Sequence, residues 1–517
     1  MSRSRSAALL ALLATLLAGC TVGPSGRPPV AVRDAGVPRA SAAPEPPSAP
    51  VPLPPPGAYD PASLPWGDCT EEFTPALGDA APELVECTEV RVDADRAIAG
   101  LGGSLSLDLT RVGTGPAPLL VVGESDGEPG TVRAARLAEQ LPPAVLDAYT
   151  LVGLARRGTG RADPVDCITP QDREEILGAD PAPTGPAQLD ALLDTTRTAI
   201  QTCVQQLNQR LTAITSAATA DDLEYLRVAL DAPVLNLLAF GDGSRSAVTF
   251  LKRYPTSVGR AVLDGAPDPT LDLVGVAEAA AAAAERGFDA FAADCVARRC
   301  PLSPDPQRAL VELADALRTT PLAVGERQIT AGTAYQAVLE AVGDPERWPE
   351  LAAALAGAAA GDGAGVAELV APLVTETAGL PARFDPGLAT RCNDSATRVP
   401  PERAAQLVRE WGERYPLFGA MFAQRLLLCS AWPVPASAGD RPDRGAPPPT
   451  LVVATEGDPL TPAAGTRRVA EALPSAVLVN WQGMAHGALG RSPCVTDAAT
   501  AYLMDAQLPA PATLCPP

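Results

Sequence analysis

Histidine is almost missing from this sequence: His486 is the only one in 517 residues. No two cysteines are spaced C-x-x-C, so the usual imidazole and thiolate donor set for zinc is absent and no metal is expected. Positive charge is also scarce. Forty Lys and Arg face 61 Asp and Glu, and the net charge of -21 opposes nucleic-acid phosphates and anionic membrane surfaces, so nucleic acid is not an expected partner. Beyond residue 20 no uninterrupted apolar run reaches the roughly 18 residues needed to cross a bilayer. Nothing in the pattern calls for a cofactor.

What is present is the composition of a globular protein, 46% hydrophobic and 20% charged, in a chain long enough to bury a large core. Residues 1–20 combine basic Arg3 and Arg5 with an apolar run and small residues before Cys20, which marks a targeting segment. Leu17-Ala18-Gly19-Cys20 resembles a bacterial lipobox and implies cleavage before Cys20 and acylation of its thiol. The expected location is the bacterial cell envelope, exported and lipid-anchored. Residues 21–58 are rich in proline, alanine and serine and read as an extended tether. Ten cysteines remain: Cys69, Cys87, Cys167, Cys203, Cys295, Cys300, Cys392, Cys429, Cys494 and Cys515. An even number in an exported chain suggests five disulfides, and pairing in sequence order closes mostly short loops, although spacing alone does not fix connectivity.

From about residue 66 the periodicity alternates between strands and helices. Residues 104–112 alternate apolar and polar, as a hairpin or edge strand would, while 118–123 and 149–154 read as buried strands around a helix at 132–141. The turn Arg156-Arg157-Gly158-Thr159-Gly160 reads first as a glycine-bearing turn with solvated charges, the alternative being two basic side chains that hold a carboxylate. Residues 186–230 are helical in pattern, with Thr219 and Asp222 spaced as a capping box before Leu223. Strands follow at 235–238 and 260–265, and the βαβ rhythm argues for a mainly parallel sheet. Residues 268–390 change to alanine-rich helices, read as a cap over the active-site end of the sheet. Sheet character returns at 450–455 and 476–480. The expected organisation is therefore a core of 66–267 and 391–517 with a helical cap inserted at 268–390.

The chain turns on Ala239-Phe240-Gly241-Asp242-Gly243, which lies between a buried strand and a helix. A nucleophile elbow, G-x-S-x-G, needs small residues two positions either side of a strained central residue. Ala239 and Gly243 supply the small residues, but the centre is Gly241. Downstream, Asp458 and His486 sit on loops that follow strands and keep the order nucleophile, acid, histidine. Ser244 is the best substitute nucleophile, with Ser246 behind it. Its residue two before is Asp242, bulkier than an elbow tolerates, and its first-turn position also suits a helix-start cap.

These stretches together resemble the secreted tripeptidyl-aminopeptidase-like branch of the α/β-hydrolases, relatives of proline iminopeptidases that cleave short peptides from free N-termini with a serine triad. The resemblance rests on DLEYLR at 222–227, residues 235–265, Cys392-Asn393-Asp394, CSAWP at 429–433, residues 456–462, and the end from His486 through Cys494 and Cys515. It implies an α/β-hydrolase fold, with Asp458 and His486 at the positions of acid and base. Three departures fall on the active site. The nucleophile position is Gly241. The oxyanion loop falls within 124–130, with Gly127 and the Asp242 backbone as candidate oxyanion elements but with added acidic side chains. The D-x-R-G turn reads Ala155-Arg156-Arg157-Gly158, without its aspartate. The expectation is a catalytically degenerate hydrolase that binds a short peptide or small ligand. The alternative is an active exopeptidase or esterase using Ser244 with His486 and Asp458.

Overall fold

The computed structural model describes residues 55–78, 81–94, 103–183, 185–433 and 447–517. The leader, Cys20 and the tether as far as residue 54 lie outside the described residues. Among the described residues, no single helix is long and apolar enough to cross a membrane.

The strands are β1 (Gly67–Asp68), β2 (Glu86–Asp93), β3 (Ser104–Val112), β4 (Ala117–Val122), β5 (Tyr149–Leu154), β6 (Leu235–Phe240), β7 (Val258–Asp264), β8 (Leu322–Val324), β9 (Arg327–Ile329), β10 (Thr450–Thr455), β11 (Ala476–Trp481) and β12 (Thr513–Cys515). Ten of them form one sheet in the order β1-β2-β3-β5-β4-β6-β7-β10-β11-β12, and β8 pairs with β9. From β5 through β12 all neighbours are parallel, whereas β1, β2 and β3 add an antiparallel flank. Every residue of β4, β5, β6, β7 and β10 is buried, as expected of parallel strands covered on both faces. This is the α/β-hydrolase fold, with a mainly parallel central sheet.

Two apolar cores lie on the sheet. One gathers Leu237, Phe250, Leu223 and Trp411, and the other Leu238, Val453, Tyr149 and Tyr502. The β6 residue Asn236 links three strands: its amide donates to Pro118 O at 3.0 Å and its oxygen accepts from Arg260 N at 3.0 Å. A third core joins the helices of 268–390 to flanking residues, and in it Phe288 meets Phe291 and Phe418, and Phe291 meets Trp348, ring against ring. Buried aromatics there supply area that alanine-rich helices lack.

The cysteines pair in sequence order: Cys69 with Cys87, Cys167 with Cys203, Cys295 with Cys300, Cys392 with Cys429, and Cys494 with Cys515. Four local expectations need correction. Of the two readings of 104–112, the hairpin holds, since β3 pairs antiparallel with the preceding β2, but the edge strand does not, because β5 bonds its other side. The inserted segment is not helical throughout, because β8 and β9 form a hairpin whose three-residue strands are too short to show a period. The helix expected to start at Thr219 begins at Ser216, capped by Thr215, whose side chain accepts from Ala218 N. Asp222 is thereby placed inside the helix. Its true partner is Arg157, which grips it with two bonds of 2.6 and 2.9 Å. Arg156 and Arg157 are accordingly buried, 3% and 2% exposed, and not solvated. A buried guanidinium needs a carboxylate, and tertiary structure brings one to each.

Candidate functional site

The site forms where β4, β6, β7 and β10 end. Gly241 follows β6 at φ +48°, the left-handed turn an elbow requires, and its N–H donates to Asp264 O at 3.0 Å. The helix Gly243–Arg253 starts at once, and a Cβ at Gly243 would lie 2.4 Å from Gly123 O, so nothing larger fits there. The strand–turn–helix frame is thus in place around a residue with no side chain.

Across the site, Asp458 and His486 are brought together. His486 Nδ1 lies 3.0 Å from both Asp458 carboxylate oxygens. Asp458 is held in turn by the N–H groups of Leu460 and Thr461, at 2.9 and 2.8 Å. The histidine loop is fixed at three points. His486 N donates to Gly343 O of the inserted segment at 2.7 Å, while Ala488 and Leu489 donate to Asp264 Oδ2 at 2.8 Å. Asp264 was not singled out from the sequence; its signal is an acid at the end of the buried strand VGRAVLD.

The decisive residue is Glu124, at the start of the loop after β4. Its Oε1 lies 2.9 Å from His486 Nε2. A Cβ built on Gly241 would lie 1.8 Å from the same oxygen and 2.5 Å from the carboxyl carbon. The Glu124 carboxylate therefore occupies the volume that a side chain at the elbow would need. It presents an oxygen to the imidazole where a serine hydroxyl would. The sequence signal was one of the added acidic side chains in the stretch 124–130 that the resemblance aligns with the oxyanion loop.

The electrostatics follow. Burial disfavours the charged imidazole, but the Asp458 and Glu124 carboxylates overcome it and raise His486 well above the usual 6.5. Burial likewise pushes the Glu124 carboxyl up, and the positive His486 more than reverses this, leaving it below 4.5. Each ring nitrogen faces a carboxylate oxygen, an arrangement that favours the doubly protonated ring. A general base needs a ring nitrogen free of its proton, and this one is committed.

Asp242, which follows Gly241, turns its carboxylate to Ser125 and Arg156. It accepts from Ser125 N at 2.9 Å, from Ser125 Oγ at 2.6 Å and from Arg156 Nη1 at 2.8 Å. The oxyanion loop thus commits the Ser125 N–H to an acid. Gly127 packs under the same loop, where a Cβ would lie 2.4 Å from Glu124 Oε2. Ser244 is not brought to the histidine. Fully buried, it donates its hydroxyl to Ala239 O at 3.1 Å, which replaces the expected helix-start cap with a bond back into β6. Ser246 is also buried, and its hydroxyl has no hydrogen-bond partner among the described residues. Cys167, Cys203 and Asp385 cluster closely enough to suggest metal ligands, but both sulfurs belong to a disulfide.

Fold and site together define an α/β-hydrolase in which the acid and the histidine persist. Within that class, residues 415–515 match the family model described as TAP-like protein. The chain is 29% identical over 481 residues to a carboxylesterase B of Mycobacterium tuberculosis, covering 87% of this chain and 90% of the relative. It is 24% identical over 454 residues to the serine protease Hip1 of the same species, covering 82% and 86%. A tripeptidyl aminopeptidase of Streptomyces lividans is 27% identical over 221 residues, 41% and 40% of the two chains. The protein is thus similar to serine proteases and hydrolases of this fold.

Proposed function

We propose that this protein is a catalytically degenerate hydrolase that acts by binding a short peptide or small ligand, anchored in the bacterial cell envelope through Cys20. One observation carries the reading: the Glu124 carboxylate lies in the nucleophile's place and holds the histidine's second nitrogen at 2.9 Å. Serine acyl transfer needs a hydroxyl at the elbow, a neutral imidazole to take its proton and N–H donors for the oxyanion. Here the elbow has no side chain, the imidazole is charged and the Ser125 N–H is engaged.

A fluorophosphonate probe and tripeptide chromogenic substrates test this. The natural sequence should neither label nor turn over. Glu124→Gly combined with Gly241→Ser, which frees the volume and restores the hydroxyl, should label detectably. Labelling of the natural sequence that Ser244→Ala abolishes would overturn the proposal. The anchor is tested separately: palmitate incorporation in a bacterial host should be lost in Cys20→Ala.

A further inference from the structure

Cys392-Asn393-Asp394, one of the stretches that carry the resemblance, clamps the start of the helix Ser216–Ala229. Cys392 is tied to Cys429 by a disulfide, and the Asn393 amide donates to Leu211 O at 2.7 Å and to Ile214 O at 2.9 Å, in the stretch that leads into the helix. Asp394 takes both polar groups of Ser216: its Oδ1 accepts from the backbone N–H at 2.8 Å and its Oδ2 from the hydroxyl at 2.6 Å. A hydroxyl has one proton and two lone pairs. With the proton given to Asp394, Ser216 Oγ can only accept from its other neighbour, and that neighbour is Arg156, whose Nη2 lies 3.1 Å away.

From Arg156 the bonds run on to the elbow. Its Nη1 donates to Asp242 Oδ2 at 2.8 Å, and Asp242 accepts from the N–H and the hydroxyl of Ser125, the residue that follows Glu124. Arg156 is buried and its Nε has no hydrogen-bond partner among the described residues, so Asp242 and Ser216 are the two acceptors that orient it. A planar guanidinium held at two nitrogens is fixed in rotation, whereas one held at a single nitrogen can swing about that bond. The base of Glu124 is less firmly held on its own side: Glu124 N reaches Glu128 O at 3.4 Å, long for such a bond. Arg383 and Arg391 reach Asp126, two residues on, only at the exposed surface. Asp242 also repels the Glu124 carboxylate, so its pairing with Arg156 favours the contact between Glu124 and His486.

We propose that Ser216, keyed by Asp394, is a positioning residue for the closed centre: through Arg156 and Asp242 it holds the Ser125 backbone so that the Glu124 carboxylate stays over Gly241 and on His486. The proposal rests on the reading of Glu124 as the group that closes the site, and adds what keeps it there.

The one histidine reports on this directly, because its imidazole resonance in an untagged protein follows the Glu124 contact. Ser216→Ala removes the hydroxyl without altering any charge and leaves the backbone N–H on Asp394. The His486 titration midpoint should fall by about half to one pH unit, a three- to tenfold loss of proton affinity. Ser216→Thr, which keeps a hydroxyl, should hold the midpoint near that of the natural sequence. In a Glu124→Gln background Ser216→Ala should shift the midpoint no further, because the residue acts through Glu124. Asp394→Asn is the second variant if Ser216→Ala does not fold, and it should lower the midpoint in the natural background but not in Glu124→Gln. An unchanged midpoint in a cooperatively folded Ser216→Ala protein would overturn the proposal, as would an equal fall in Ser216→Thr. So would a shift from either variant that persists in full without Glu124, since that reports a change reaching the histidine by another route. Fluorophosphonate labelling of the natural sequence would sink the proposed function, while the Ser216 comparison would still judge whether Glu124 is held through Arg156.

Discussion

The two ends of the site have been built to different standards. At the acid–histidine end, Asp458 is wholly buried, receives two backbone N–H donors and lies 3.0 Å from the ring it orients, an arrangement any serine hydrolase could use. At the elbow end Gly241 has no side chain, and Glu124 lies in the volume one would need. Arg156 and Ser125 are turned onto Asp242. The second end is not eroded at random. Glu124 bonds the histidine, and Ser125 and Arg156 bond Asp242, so the acidic and basic side chains at this end are held in hydrogen bonds, with His486 between two carboxylates. An elbow that merely lacked a hydroxyl would leave Nε2 open, whereas here a carboxylate faces it at 2.9 Å.

The sharpest way to break this comparison is at the intact end. Asp458→Ala removes one partner of a buried charge and should cost about 3–5 kcal/mol in denaturant unfolding, far more than an idle relic would. A loss under 1 kcal/mol would mean the acid no longer matters. Gly241→Ser alone comes next. The Cβ would collide with Glu124 and the residue is held at positive φ, so destabilisation of about 3 kcal/mol without fluorophosphonate labelling is expected. Labelling by this single variant would show that Glu124 yields readily.

Glu124→Gln probes the triad directly. Because His486 is the only histidine, its imidazole titration in an untagged protein needs no assignment. The ring should remain protonated at neutral pH in the natural sequence and titrate at lower pH in the variant, at a stability cost of about 1–2 kcal/mol near pH 6. The sign of the pH dependence follows from the two directions of shift. The raised His486 contributes stability fully below its unfolded value of 6.5 and loses it as pH rises through the raised value. The lowered Glu124 contributes above 4.5 and loses it as pH falls through its lowered value. Between those limits the triad contributes most, and Glu124→Gln should flatten the alkaline decline. Ser244→Ala should have the smallest effect, about 1 kcal/mol for one buried hydroxyl bond, with the His486 titration unchanged. A shifted titration would place Ser244 in contact with the site after all.

Much of this was legible along the chain. Fully buried strands declare themselves as continuous apolar runs, which is why β4, β5, β6 and β10 are located from periodicity, and the order of Gly241, Asp458 and His486 already outlines a hydrolase centre. The elbow also declares itself, since Gly243 and Ala239 are small where sterics demand it. Arg156 and Arg157 misled because a charged pair beside a glycine looks the same whether its carboxylates come from solvent-facing neighbours or from residues 60 or more positions away, as Asp222 and Asp242 do at separations of 65 and 86.

The sequence by itself determined the frame: a parallel sheet, a turn without a nucleophile, and an acid and a histidine in order. Only tertiary structure decided what lies over that turn. Glu124 and His486 stand 362 residues apart, and nothing local links them. They meet because β4 lies beside β6 in the sheet, so the loop after one strand overhangs the turn after the other. Whether an acid in that loop repels an oxyanion or captures an imidazolium depends on where its carboxylate is held. That is fixed by packing across the sheet, which a one-dimensional pattern does not encode.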